Sequence, residues 1–304
     1  MRLPTLLLGA CVAACAAAPE PRPKAAREPV KAPEIGKEQR DRLREWEGLW
    51  RKHDPKADPL RQELCQDPAT AWWLARTCVF ELVRGVDQAK AADDEIVSLA
   101  GTSGDSRRQR ALAELCAMGA AAVPCVREDL LRHEYADRRL LAVQILQAIG
   151  PDAYAGIAPC LSERDPVVRK AAVDAAAAML SLPAARSAVE ALLADPEFVV
   201  RGAAYAALGR LGPQAGGVLR RGLETDADPY VRRAIVQALG EVRVVGSAQA
   251  VFAYYTSCLA ARDTRGLEAA DAALARLSGR KPPGNEVSWR SWLATLPADP
   301  AHKL

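Results

Sequence analysis

Four stretches decide the fold: Glu134-Tyr-Ala-Asp-Arg138, Asp165-Pro-Val-Val-Arg169, Glu197-Phe-Val-Val-Arg201 and Asp228-Pro-Tyr-Val-Arg232. Each sets an acidic residue four positions before an arginine, and each arginine opens an apolar, alanine-rich run. The arginines stand 31, 32 and 31 residues apart. A fixed period of this size marks stacked supersecondary units, each too small to bury its apolar face alone. The spacing predicts an all-α chain, an α-solenoid (superhelix) of antiparallel helix pairs.

The local chemistry agrees with that reading. The acidic residue sits where an N-cap belongs. Pro166 and Pro229 follow at the first helical position, where the N–H missing from proline has no intrahelical partner to lose. Gly150-Pro151 and Gly212-Pro213 supply a C-terminal glycine and a proline stop, and Leu182-Pro183 breaks the run that begins at Arg169. Ala204, Leu208 and Leu211 correspond to Ile235, Leu239 and Val242 one unit on, and steps of four and three put each set on one helical face. Their small neighbours Ala207, Gly209, Ala238 and Gly240 predict close helix–helix approach. A further unit opens near Arg265 and an earlier one near Arg107, giving about six units within 105–280.

The acidic-Pro-x-Val-Arg block with Ala-Leu-Gly downstream is similar to HEAT repeats, especially the short-period type first noted in phycobilisome lyases. The resemblance implies one helical hairpin per unit. It also implies a structural ladder along the hairpin edge, in which Glu134, Asp165, Glu197 and Asp228 meet Arg138, Arg169, Arg201 and Arg232 or their backbone neighbours. A protein partner would then lie on a concave face built by second helices near 124–133, 155–163, 185–194, 215–224 and 248–260. Candidate side chains on that face are Arg127, Glu128, Arg186, Glu190, Arg220, Arg221, Phe252, Tyr254 and Tyr255.

Outside the repeats, 37–104 reads as an N-terminal helical cap region and 281–304 as a C-terminal cap helix with a tail. Trp46, Trp50, Trp72, Trp73, Trp289 and Trp292 all lie in these regions, as expected of large side chains that seal the ends of a solenoid. An aromatic ligand patch is the other reading of them. Residues 1–18 hold one arginine, an apolar core too short to span a bilayer, and small residues before Cys11 and Cys15. They resemble a bacterial lipoprotein signal peptide lipidated at Cys15, with Cys11 as the alternative. The chain is therefore expected to be exported and membrane-anchored, facing the periplasm or cell surface. Residues 19–36 carry five prolines among charged residues and predict a disordered, extended tether.

Six further cysteines form no Cys-x-x-Cys pair and only three histidines are present, so no metal site or haem is expected. Cys116 and Cys125 flank Gly119-Ala-Ala-Ala122, where a hairpin would bring them within disulfide range. The plainer reading is six small core residues. The excess of 41 basic over 38 acidic residues lies in the signal and in 19–45, which leaves a neutral body and excludes a general nucleic-acid binder. No phosphate loop, dinucleotide glycine pattern or Gly-x-Ser-x-Gly elbow occurs, and Asp93-Asp-Glu95 reads as a solvated helix face. The expected function is a non-catalytic, protein-binding scaffold without a cofactor. The alternatives are a bilin-lyase-like enzyme and an envelope spacer with no specific partner.

Overall fold

The computed structural model describes residues 32–91, 106–281 and 284–304. The signal with Cys11 and Cys15, residues 19–31 of the tether, and Asp93-Asp-Glu95 lie outside the described residues. Residues 32–304 form one compact unit. It opens on three cap helices, α1 (Lys37–Arg51), α2 (Ala57–Leu64) and α3 (Pro68–Ala91). Helix pairs follow: α4 (Ser106–Met118) with α5 (Val123–Val126), α6 (Ala136–Ile149) with α7 (Tyr154–Ile157), and α8 (Pro166–Ala176) with α9 (Pro183–Ala191). The series continues with α10 (Phe198–Gly209) and α11 (Gly216–Thr225), α12 (Pro229–Glu241) and α13 (Val245–Ala261), then α14 (Thr264–Ser278) and α15 (Glu286–Leu293). Among the described residues no strand forms; one isolated bridge joins Val244 to Lys303 and ties the C-terminal tail to the α12–α13 turn. The chain is the all-α solenoid its period predicts.

The first helices of the units, α4, α6, α8, α10, α12 and α14, pack against one another in a row. Small residues set how closely they approach. A Cβ on Gly209 would come within 2.8 Å of the Ala238 Cβ, and one on Gly240 within 3.1 Å of that of Ala273. Ala204, Leu208, Ile235, Leu239, Ala273 and Leu274 form the buried seam between these helices. Gly119, Gly150, Gly212 and Gly279 each close a first helix at positive φ, which frees the chain to reverse without a Cβ clash.

The second helices are less regular. α5 runs into a π turn over Arg127–Leu131, and α7 gives way to a 3-10 turn over Ala158–Ser162. Pro159 explains the second break, since its ring opposes the carbonyl four residues back and it donates no hydrogen bond.

Five of the six tryptophans, all in the two end regions, are buried. Trp46 and Trp50 stack at 5.6 Å in the α1 face and are buried, as are Trp72, Trp289 and Trp292. Trp73 donates from Nε1 to the Pro33 carbonyl at 2.9 Å, so the folded body takes in residues upstream of 37. Arg61 of α2 pairs with Glu114 of α4 at 2.8 Å with both side chains mostly buried, and Arg110 donates to the Trp50 carbonyl at 2.8 Å. These bonds fix the cap to the first unit.

Candidate functional site

One edge of the solenoid, where the first helices begin, carries both an ordered polar network and an unusual apolar surface. Arg169 shows how the network is built. Asp165 caps α8 by accepting the Val167 amide at 2.9 Å. One turn later the Arg169 Nη1 donates back to the carbonyls of Glu163 and Arg164 at 2.8 and 2.9 Å. Its Nε and Nη2 form a two-pronged pair with Asp195 of the next unit at 2.9 and 2.8 Å. Asp195 in turn accepts the Glu197 amide at 2.9 Å.

Arg201 repeats the arrangement. Its Nη1 donates to the carbonyls of Asp195 and Pro196 at 3.0 and 3.2 Å, its Nε and Nη2 donate to Asp226 at 2.8 and 3.2 Å, and Asp226 accepts the Asp228 amide at 2.9 Å. Each arginine therefore organises its own loop and grips the next. Burial alone would raise the Asp195 and Asp226 carboxyls. The guanidinium hydrogen bonds and the amide donors outweigh burial and hold both below the ordinary carboxylate value.

This ladder corrects the sequence expectation in two respects. Its acids are Asp195 and Asp226, each two residues before the acid of the quoted block. Asp165 and Asp228 serve as helix caps, and Glu197 makes no side-chain cap bond. Asp228 turns toward its own helix amides, which leaves Asp226 two residues earlier to face the preceding unit, whereas at Arg139 the cap acid Asp165 is itself the nearer carboxylate. In the first repeat of the block the arginine is Arg139, not Arg138, and the cap residue is Tyr135, not Glu134. Arg139 donates to the carbonyls of His133 and Glu134 at 2.9 and 2.8 Å, while Asp165 and Glu163 stand at 3.5 and 3.9 Å. Arg138 reaches the Val83 carbonyl at 3.5 Å. A sequence signal for the true acids exists: Asp195-Pro-Glu197 and Asp226-Ala-Asp228 repeat an acid two residues before the cap.

The ladder stops at Arg232. Its guanidinium lies over the Tyr254 ring at 5.1 Å, its Nε is buried without a hydrogen-bond partner, and no ion pair forms on it among the described residues. Asp226, close by in sequence, is already held by the Arg201 fork. The next first helix is capped by Asp263, and the position two before that cap is Ala261.

The apolar surface lies at the same helix starts. Of the large apolar side chains exposed among the described residues, Tyr135, Val167, Phe198 and Tyr230 (59, 54, 42 and 41% exposed) fall at or beside the N-caps of α6, α8, α10 and α12. Phe198 and Tyr230 meet edge to face at 5.5 Å, and Tyr230 lies over Gly202, where a Cβ would come within 2.8 Å of its ring. Exposed Glu134, Asp137 and Glu197 flank the stripe, while the ladder arginines 139, 169 and 201 are turned inward, 16, 11 and 20% exposed.

The expected second-helix face is different in character. Arg127 pairs with Glu128 at 3.3 Å, and Arg186 pairs with Glu190 at 3.0 Å and reaches Gln214 at 3.4 Å. Arg221 is exposed and Arg220 half-buried. Tyr254 and Tyr255 do not belong to the face: they are buried because α13 is covered by both α14 and α15. Phe252 is half-buried against Tyr255 and Arg290.

The disulfide expectation is also corrected. All six cysteines of the described residues are unbonded thiols. Cys125 turns into the core with its Sγ 3.9 Å from Asp129, while Cys116 stays half-buried. Burial, then the Asp129 charge, push the Cys125 thiol well up, and burial raises Cys160 to about 11. Among the described residues no group of histidine, cysteine and acidic side chains is placed to hold a metal ion, and no helix is long and apolar enough to cross a membrane.

The family model for HEAT repeats matches residues 126–209 and, overlapping, 187–270. Solved structures with similar architecture include an engineered protein at 20% identity that covers 59% of this chain and 93% of its own, with a TM-score of 0.35. A second engineered protein is 18% identical, with 84% and 77% covered and a TM-score of 0.36. The complex of CpcE and CpcF of phycocyanin lyase from Nostoc sp. PCC7120 is 18% identical, with 83% and 98% covered and a TM-score of 0.32. A comparison with curated proteins finds no match.

Proposed function

We propose that the chain, which matches the family model for HEAT repeats over residues 126–270, is a non-catalytic scaffold that holds a protein partner along the edge where its first helices begin. The observation that carries this is the stripe Tyr135, Val167, Phe198 and Tyr230, one exposed apolar side chain in each of four consecutive units. Phenylalanine and tyrosine are scarce here, three and six in the whole chain. A serine or glutamate would satisfy a solvated first turn equally well, and three aromatics stand there instead. Scattered exposed apolar residues need no explanation, but a row repeated at the unit period is the kind of patch that marks a protein contact. Aromatic anchors surrounded by polar groups are also the usual source of binding energy at interfaces. The second-helix face supports binding less well, because Arg127 and Arg186 already pair with Glu128 and Glu190 and its two tyrosines are buried.

In this reading the mature chain is exported and lipidated at Cys15, or at Cys11, with the proline-rich segment after it as a tether to the envelope membrane. The short apolar leader and the small residues before each cysteine support that part. Affinity capture from envelope extract tests the binding function. The full chain should retain a stoichiometric protein that the Tyr135→Ser/Val167→Ser/Phe198→Ser/Tyr230→Ser variant loses. Identical recovered proteins overturn the edge as the binding surface. Intact mass of the mature protein, with Cys15→Ser and Cys11→Ser, tests the anchor: a diacylglyceryl increment lost in one variant supports it, and an unmodified N-terminus sinks it.

A further inference from the structure

Two guanidinium groups along the ladder edge, Arg169 and Arg201, are engaged in the same way; Arg139 shares their loop-carbonyl bonds but leaves its Nε buried without a hydrogen-bond partner, and Arg232 makes neither contact. Arg139, Arg169 and Arg201 each donate Nη1 to two loop carbonyls. Arg169 and Arg201 also present Nε and Nη2 as a fork to an aspartate of the following unit, and Arg139 faces Asp165 and Glu163 at longer range. Among the described residues no acid pairs with Arg232: the corresponding position before the next cap is Ala261, and the first helix it introduces begins after an α13 of 17 residues rather than the 10 of α11. The guanidinium lies over Tyr254 instead, with Nε buried and without a partner.

We propose that Arg232 is a carboxylate-recognition site that completes the ladder in trans, taking an aspartate or glutamate side chain from the protein partner. This rests on the scaffold reading and specifies the chemistry of the partner. The chain itself shows which ligand suits an arginine at this helix position, since a carboxylate fills the fork at Arg169 and Arg201. A planar guanidinium also matches two carboxylate oxygens end on through Nη1 and Nη2, the donors left to a ligand here because Nε is sealed from solvent, and its cation can stack on an aromatic face at the same time. Other charges nearby do not fill the role. Asp226 is committed to Arg201, Asp228 caps α12, and Asp263 caps α14 through the Gly266 amide. Tyr230, the last residue of the apolar stripe, lies two residues before Arg232 on α12 and turns toward Gly202 of the preceding unit while Arg232 turns toward Tyr254, so the carboxylate contact would be separate from the stripe.

The test uses the full chain and a peptide copied from its own ladder loop, acetyl-Leu-Ala-Asp-Pro-Glu-Phe-amide, with the residues of 193–198. Arginine Nε–Hε correlations are recorded by NMR during titration, and the Arg232 signal is identified by its loss in Arg232→Lys. The Arg232 resonance is expected to move saturably with this peptide and to stay in place with the counterpart carrying Asn and Gln for Asp and Glu. Arg232→Lys keeps the charge but loses the planar pair of donors, so affinity for the acidic peptide, read by calorimetric titration, should fall by roughly tenfold. The Arg201 resonance, whose rung is filled, should not move. An Arg232 signal that ignores the acidic peptide, or follows both peptides equally, overturns the proposal. Should that happen while capture still depends on the apolar stripe, only the carboxylate site is lost. A shifting Arg232 signal with stripe-independent capture removes the scaffold surface instead.

Discussion

Replacing Asp195 with alanine removes the acceptor for both prongs of Arg169 and for the Glu197 amide. The side chains of Arg169 and Asp195 are 11 and 4% exposed, so this pair is close to buried. Removing one partner of a buried pair costs about 3–5 kcal/mol, because the survivor keeps its charge without compensation. Arg169 retains its two loop carbonyls and an edge to solvent, which places Asp195→Ala at the lower end, about 3 kcal/mol. In a solenoid each unit contacts only its neighbours, so the loss should appear locally. Amides of α8 and α10 should exchange faster in Asp195→Ala, while those of α14 keep wild-type rates. A double-mutant cycle of Asp195→Ala with Arg169→Met, read from urea denaturation, should give a coupling of about 1–3 kcal/mol. A coupling below about 0.3 kcal/mol, within the additivity expected of independent sites, would refute the ladder as the bond between units.

Other expectations follow from the same geometry. Asp195 and Asp226 titrate below their unfolded value of about 3.9, so their contribution is fully present above that pH and is lost as pH falls through the lower folded values. The urea midpoint of the wild type should therefore drop more steeply below about pH 4, the unfolded carboxylate value, than that of Asp195→Asn/Asp226→Asn, and parallel curves would contradict this. Gly209→Ala puts a methyl within 2.8 Å of the Ala238 Cβ, and overpacking should cost about 1–3 kcal/mol despite the better helix propensity of alanine; an unchanged or raised Tm counts against the close packing of α10 on α12. In native protein at pH 8, a working value of about that of an ordinary thiol, Cys65 and Cys116 should react with a thiol reagent before Cys78 and Cys125, whose burial raises their pKa; early labelling of Cys78 or Cys125 would show that the cap does not cover them.

Much of the fold was legible because its signals are periodic and chemical. The proline at the first helical position, the glycine before the turn and the alternation of large and small residues each recur at the unit length, and each has a local physical reason. The second helices were less readable. Pro124 and Pro159 sit in arms of only a few residues, where one missing donor decides between α, π and 3-10 geometry. Tyr254 and Tyr255 misled because their burial depends on α14 and α15, which no pattern within α13 reveals. The ladder acids were missed for a subtler reason. Asp165 and Asp228 match a capping pattern and do cap, but at Arg169 and Arg201 the inter-unit bond belongs to Asp195 and Asp226, two residues before the expected acids, whose role depends on how the following unit is stacked. The apolar stripe was visible as Tyr135, Val167, Phe198 and Tyr230 beside the repeated acids, yet only stacking decides that these side chains stay outside the core.

The most direct test of the scaffold account is site-specific photo-crosslinking in cells, with a benzophenone amino acid placed singly at Phe198, Tyr230, Arg186 or Arg221. Crosslinks to one defined protein from Phe198 and Tyr230, with none from Arg186 and Arg221, are the predicted result. Crosslinks from Arg186 and Arg221 alone would put the partner on the second helices and contradict the assignment of the edge.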